Sequence, residues 1–431
     1  MEGRKKEIIF LYCGLRTGNF GAGSHFYALL DGLSKSENFK IKMIRTDSQL
    51  YREVTVNSYG NIPVLDIPQP ENKLFLTVED SLIQKTYAKR VLEISYPFFE
   101  DFEDPFFVVN SIDYLNLVLE MKGSLEACSI AYIHHAWSWK DFYNKPDRIF
   151  MEDWYTLNTP RLEQAMYYTK QQQKLALLAD KVVAVTDQAR DFFVKHLGVA
   201  QNKVFKIYNG LDMDKLQGID GIISPSDYGL GSSEKAILYC GRIKSEKGVG
   251  ALIEAFKIIH KTHPDYRLVL IGSGDFKEMI SKTNPISAKV TFTGKLSREE
   301  LFKWYGMASV GVLPSFHEQC SFTALEMAAH RLPMVISAVD GLEEMYHDGL
   351  DSLKVQVGFD KDGFKTIFPQ TLAEKIITLI QNPELATQLA QNAFRLVSEK
   401  YTLDNMIRGY IELFQTESHE IYLKYQDKSI W

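Results

Sequence analysis

No apolar run in the 431-residue sequence approaches the roughly 20 residues that a membrane-crossing helix needs, so nothing in it is expected to span a bilayer. The opening, MEGRKKEIIFLYCGL, has a basic flank, but its apolar run is short. Charge and glycine follow it without a small-residue cleavage site, so a first β-strand is expected rather than a signal peptide. Cysteine is scarce. Cys13, Cys128, Cys240 and Cys320 are far apart and form no CxxC pair, which argues against a zinc site and against a disulfide framework. A cytoplasmic protein is expected. An excess of basic charge is also lacking: the formal net charge is −6, and neither half is basic. Nucleic acid is therefore not expected as a main partner, and a strong electrostatic membrane anchor is not supported.

What is present is the ordinary composition of a soluble enzyme, 45% hydrophobic and 24% charged, in a chain too long for one core. Strand-length apolar runs fall at 8–13, 41–45, 106–110, 130–134, 181–186 and 204–208. They resume at 236–240, 267–271, 289–293, 310–314 and 334–337. Amphipathic helical patterns lie between them, at 24–34, 160–178, 248–261, 298–305 and 322–330. Repeated βα units of this kind predict parallel sheets covered on both faces. The rhythm restarts once, after Asn209-Gly210-Leu211-Asp212 and a stretch at 218–233 rich in Gly, Ser and Pro. The expected domains are 1–210, 211–400 and a helical tail, 401–431, packing back on the first domain. Breaks are expected at Pro383 and near Tyr401.

The glycine-rich turn Gly18-Asn-Phe-Gly21-Ala-Gly23 follows the first strand, but its spacing is not GxGxxG. Asp47 after the second strand imitates a ribose ligand only weakly, so dehydrogenase chemistry is not supported. These glycines let backbone N–H groups approach an anion at a helix N-terminus, or they simply make a tight turn.

The richest segment is 310–353. A strand leads into a loop carrying His317 and Glu318, and a helix begins near Phe322 with Glu326 on its first turns. In open α/β sheets ligands bind at that edge. N–H groups near 321–323 suit a diphosphate, and the carboxylates suit ribose and sugar hydroxyls. Thr323-Ala-Leu-Glu326 also fits a capping box, in which Glu326 would only tie down its own helix. A second segment, Gly241-Arg242-Ile-Lys-Ser-Glu-Lys247-Gly248, places two cations in a βα turn, as neutralising a departing nucleoside diphosphate requires.

Taken together, GRIKSEKG, LVLIGSGD, VTFTGKL and the Glu318–Glu326 pair stand in the order and approximate spacing of the GT-B, group 1 (family four) retaining glycosyltransferases, which the chain resembles from about 209 to 353. YNGLD is similar to that family's NGxD entry to its C-terminal domain, while the first half matches loosely, through the glycine loop and VVAVTDQARDFF. The resemblance implies an α/β fold of two Rossmann-like domains with parallel sheets facing a central cleft. It implies transfer of a hexose-type sugar from a nucleoside-diphosphate sugar to an acceptor hydroxyl, in polysaccharide or glycoconjugate synthesis. The acceptor class, whether glycan, lipid-linked glycan, small molecule or peptide, stays open.

By the same resemblance Arg242 and Lys247 would hold the diphosphate, Glu326 the ribose, and Glu318 the transferred sugar. Gln319, Cys320, Ser321 and Phe322 would lie beside sugar and phosphates, and Gly21, Gly23, Gly241, Gly272 and Gly294 would line the donor. His134, at a strand end in SIAYIHHAWSW, would contact the sugar, and His135 less so. One departure matters: Glu318-Gln-Cys-Ser-Phe322 stands where the family often has Glu-Gly-Phe-Gly, which leaves donor-sugar selectivity open. No metal and no cofactor besides the co-substrate is expected. Asp212-Met-Asp214 spells a DxD pattern, but it sits in the interdomain linker. Asp101–Asp104 reads as a solvated turn, and the aromatics at 96–107 and 137–154 read mostly as packing. The rival readings are a GT-B sugar-nucleotide epimerase or hydrolase, and a non-catalytic nucleotide-sugar-binding module.

Overall fold

The segment KEIIFLYC is buried almost from end to end, as a strand covered on both faces must be. In the structure, a computed structural model describing residues 5–13, 22–71, 74–157, 159–216, 226, 229–231 and 233–415, it forms β1 (Lys6–Cys13) at the middle of a sheet. That sheet has β2 (Phe39–Ser48), β3 (Thr55–Tyr59), β4 (Ile62–Pro68), β5 (Phe106–Val109), β6 (Ser129–His134), β7 (Lys181–Ala184) and β8 (Val204–Lys206). Their order is β3-β4-β2-β1-β5-β6-β7-β8, and every pairing is parallel except β3 with β4. The β3–β4 hairpin is absent from the sequence reading. It turns on two residues between Tyr59 and Ile62, with Gly60 at φ 57°.

A second, six-stranded sheet is parallel throughout. It comprises β9 (Lys235–Cys240), β10 (Tyr266–Ile271), β11 (Val290–Gly294), β12 (Val310–Leu313), β13 (Met334–Ser337) and β14 (Leu353–Val355), in the order β11-β10-β9-β12-β13-β14. The helix Val249–Thr262 covers it with Leu252, Phe256 and Ile259, each fully buried and contributing roughly 1.5–3 kcal/mol. These are two Rossmann-like domains built on parallel sheets.

The chain divides into two compact units that are not contiguous in sequence. Unit 1 comprises 1–137, 166–208 and 403–431; unit 2 comprises 138–165 and 209–402. In unit 1 the helix Leu403–Gln415 packs on the helix Ala22–Ser34 where Gly32 has no side chain, since a Cβ there would meet Ile407 Cδ1 at 2.2 Å. Lys181 Nζ donates to the carbonyl of Leu413. In unit 2 the segment 138–165 is fastened by Asn144, whose carbonyl accepts from Lys365 N (2.9 Å) and whose amide donates to Lys365 O (3.3 Å). Lys140 of the same segment, 2% exposed, lies between Asp147 (2.9 Å) and Asp340 (2.8 Å). The aromatics of 96–107 and 137–154 are largely packing: Phe99, Phe107, Trp137, Trp139 and Phe150 are buried, and the rings of Trp139 and Phe150 stack at 4.0 Å. Gly18, Gly21 and most of 218–233 lie outside the described residues, as does the tail beyond 415.

Candidate active site

The strand order of unit 2 reverses between β9 and β12. The chain leaves β9 toward β10 on one side and β12 toward β13 on the other, so the loops after β9 and β12 part at the sheet's carboxyl edge. Ligands of open α/β sheets bind at such a point. The loop after β9 carries Arg242 and Lys247; the loop after β12 carries Ser315, His317 and Glu318. Their close approach depends on glycine. Gly248 has φ 68°, and a Cβ on it would lie 1.9 Å from the carbonyl oxygen of Pro314. Gly272 is equally constrained, with a Cβ position 1.8 Å from Gly241 O, and its N–H donates to Gly294 O at 2.9 Å. Gly241, Gly272 and Gly294 thus form one backbone seam at the edge of β9, β10 and β11.

Lys247 Nζ donates to Glu318 Oε1 at 2.6 Å, and Ser315 Oγ donates to the same oxygen at 3.0 Å. Burial pushes the Glu318 carboxyl up, but the Lys247 charge and hydrogen bond more than offset this and hold it below the usual range. Ser337 at the end of β13 fixes the loop by donating to Ser315 O at 2.5 Å. Gly341 N donates to Glu318 O at 2.9 Å.

Glu326 is held by different partners. Tyr305 Oη donates to Oε2 at 3.2 Å and Arg298 Nη2 to Oε1 at 3.3 Å. Burial raises its carboxyl above the usual range, which Arg298 and Tyr305 only partly offset. The capping-box alternative is not what the helix uses. The N-cap of Phe322–Ala329 is Ser321, whose Oγ accepts from Ala324 N at 3.4 Å, and Glu326 points elsewhere. A capping box does exist nearby, between Ser297 and Glu300.

Cys320 does not face outward. Its Sγ accepts from Asn209 N at 3.3 Å, its carbonyl accepts from Asn209 Nδ2 at 2.6 Å, and burial pushes the thiol up to about 12. Gln319 and Ser321 are buried beside it, and Phe322 opens the helix half-buried. Among the partners that escaped the sequence reading are Arg298, Tyr305 and Asp141. Asp141 belongs to the segment 138–165, and its Oδ1 lies 3.1 Å from His317 Nε2 and 3.8 Å from Arg242 Nη2.

The remaining candidates belong to unit 1. Gly23 is buried in the first turn of Ala22–Ser34. His134, at the end of β6, is buried with its Nδ1 3.2 Å from Tyr132 Oη and its ring 4.1 Å from that of Trp137. His135 packs 4.7 Å from the ring of His25, and burial depresses it to about 4. Asp47 is fully engaged inside the unit, accepting from Leu76 N at 3.2 Å and Tyr87 Oη at 3.1 Å; burial raises its carboxyl to about 6. Asp101 takes Lys40 and Lys42 at the surface. Asp212 pairs with Lys215 at 3.2 Å, and no cluster of three or more metal-holding side chains occurs among the described residues.

Residues 234–382 match the family described as Glycosyl transferases group 1. The alpha-D-kanosaminyltransferase of Streptomyces kanamyceticus is 29% identical over 232 residues, 52% of this chain and 57% of that protein. The D-inositol 3-phosphate glycosyltransferase of Streptomyces avermitilis is 26% identical over 237 residues, 52% and 49% respectively. The chain thus spans about half the length of these curated relatives. Among solved structures, sucrose-phosphate synthase from Thermosynechococcus elongatus superposes with a TM-score of 0.76 at 16% identity, covering 97% of this chain and 100% of that one. Anabaena HepE, solved in complex with UDP-glucose, gives 0.69 at 16% identity, with 94% and 98% covered. At those identities the likeness is one of fold, and the fold is GT-B. With that architecture, and with residues 234–382 of its second unit matched by the family's own profile, the chain resembles the group 1 glycosyltransferases.

Proposed function

We propose that the protein is a retaining glycosyltransferase that moves a sugar from a nucleoside-diphosphate sugar to an acceptor hydroxyl, in polysaccharide or glycoconjugate synthesis. The observation that carries this reading is the set Arg242, Lys247 and Glu318 gathered where the strand order of unit 2 reverses. Arg242 and Lys247 face the diphosphate, Glu318 the transferred sugar and Glu326 the ribose, with backbone at 319–322 beside sugar and phosphates. Gly21, Gly23 and His134 of unit 1 are assigned to the donor by resemblance alone.

The acceptor oxygen bonds to the anomeric carbon on the face from which the phosphate oxygen leaves. The bond from that carbon to the phosphate oxygen breaks, and the acceptor's proton passes to the departing oxygen. Arg242 and Lys247 meet the charge that develops there, so this chemistry needs neither a metal nor an enzyme nucleophile. Four widely spaced cysteines that form no disulfide support a cytoplasmic setting. The D-inositol 3-phosphate glycosyltransferase named above, whose named substrate is a polyol, supports a hydroxyl acceptor. The test is incubation with UDP-, GDP- and ADP-sugars and a panel of hydroxylated acceptors, reading nucleoside diphosphate release and the anomeric configuration of the product by NMR. Retention is expected; inversion would overturn the mechanism. Conversion of donor without acceptor would favour an epimerase or hydrolase.

A further inference from the structure

Arg242 and Lys247 are cations already supplied with carboxylates. Lys247 has Glu318 at 2.6 Å, a neighbour from the loop after β12. Arg242 has Asp141, which arrives from the first half of the chain on the segment 138–165. The placement of Asp141 is secured by the residue before it: Lys140 is buried between Asp147 and Asp340, and Asn144 is bonded twice to Lys365. The two neighbours therefore divide the work. Lys140 points inward and anchors the segment, while Asp141 offers one oxygen to both Arg242 and the His317 ring.

We infer that Asp141 is an internal anion that the donor's diphosphate displaces from Arg242, so that it weakens the hold on nucleoside diphosphate and speeds its release. The inference rests on the reading of this edge as a nucleoside-diphosphate site. The Arg242–Asp141 pair is long at 3.8 Å, and its side chains are 51% and 38% exposed. Such a pair is weak, so a ligand bearing two or more negative charges can take its place. Asp141 responds to this environment: burial pushes its carboxyl up, but His317, Arg242 and Lys247 outweigh that and leave it lowered, hence anionic when the site is empty. When a diphosphate occupies the cations, the same carboxylate becomes a like charge beside it, and after transfer it reclaims Arg242 as the product leaves.

The test is calorimetric titration of the full-length protein with UDP, ADP and GDP. Asp141→Asn and Asp141→Ser should each bind the preferred diphosphate about three- to tenfold tighter than the wild type, the range expected from removing one screened charge near the ligand. Glu152→Gln is the control. It removes an equal charge from an exposed site on the same segment, where its side chain pairs with Arg148, and should leave affinity unchanged. A merely structural role for Asp141 predicts weaker binding, because disorder at the site does not raise affinity. Unchanged or weaker binding in both Asp141 variants overturns the inference, as does a gain in only one of them or an equal gain in Glu152→Gln. If the wild type binds none of the three diphosphates, the proposed function itself fails and this inference falls with it.

Discussion

Lys247 and Glu318, 71 residues apart in sequence, meet at 2.6 Å where the loops after β9 and β12 face each other. Cation and carboxylate neutralise each other, so neither is a free surface charge. Arg242, half exposed and paired loosely, is a different kind of cation.

Both should matter for turnover, but only one for stability. Lys247→Ala and Arg242→Ala should each lower kcat about 10²–10³-fold at saturating donor. Lys247→Ala should also lose about 1–3 kcal/mol of stability, because it strands a largely buried carboxylate. Arg242→Ala should melt as the wild type does. Wild-type turnover in either variant would remove it from the diphosphate.

The two glutamates should separate by ligand. Glu326→Gln should weaken binding of both nucleoside diphosphate and intact donor by roughly tenfold or more, the loss of a charged hydrogen bond. Glu318→Gln should depress transfer without weakening nucleoside diphosphate binding, since it frees Lys247. Calorimetric titration of both variants with both ligands checks this; equal, unchanged affinities would take both residues out of the donor site.

Lys140→Met should destabilise unit 2 by about 3–5 kcal/mol, since it removes the ammonium that pairs directly with the buried Asp340. Denaturant unfolding measures it. A loss under 1 kcal/mol would mean that the segment 138–165 is held by its aromatic packing instead.

The pH dependence of unit 1 should carry the signature of Asp47. Its folded carboxyl titrates at about 6, raised from 3.8 by burial. The stability it contributes is therefore fully present below pH 3.8 and is lost as pH rises through 6, at most roughly 3 kcal/mol. Asp47→Asn should abolish this part of the slope between pH 4 and pH 8. An identical pH profile of melting in variant and wild type would refute the assignment.

If Arg242 and Lys247 neutralise the diphosphate as proposed, activity should survive EDTA. Complete loss that added divalent metal reverses would bring Asp212 and Asp214 back into consideration.

Much of this was legible because it is local. The core strands read as apolar runs, and helix bounds such as Pro160–Leu178 follow from periodicity. The β3–β4 hairpin escaped because an edge hairpin half open to solvent alternates too weakly to stand out, as the exposed Val56 and buried Val64 of its two strands illustrate. At the site, the residues of the motif segments, Arg242, Lys247, Glu318 and Glu326, could be named from sequence. Asp141, Arg298 and Tyr305 could not. Each reaches its partner through tertiary packing, and nothing in WKDF or REELFKWYGM distinguishes a carboxylate, guanidinium or phenol that meets a distant loop from one that faces water. The capping-box pattern at Thr323–Glu326 shows the converse, a local signal that packing overrode when Tyr305 and Arg298 claimed the glutamate.

The path of the chain has a consequence for anyone who would build hybrids of this protein. It passes between the units four times, at 137/138, 165/166, 208/209 and 402/403. A single crossover at the middle of the gene would graft a foreign second unit onto a first half still carrying Lys140 and Asp141, and those two residues would then face whatever the newcomer has in place of Asp340 and Arg242. A working chimera must exchange 138–165 together with 209–402, as one inheritance in two pieces.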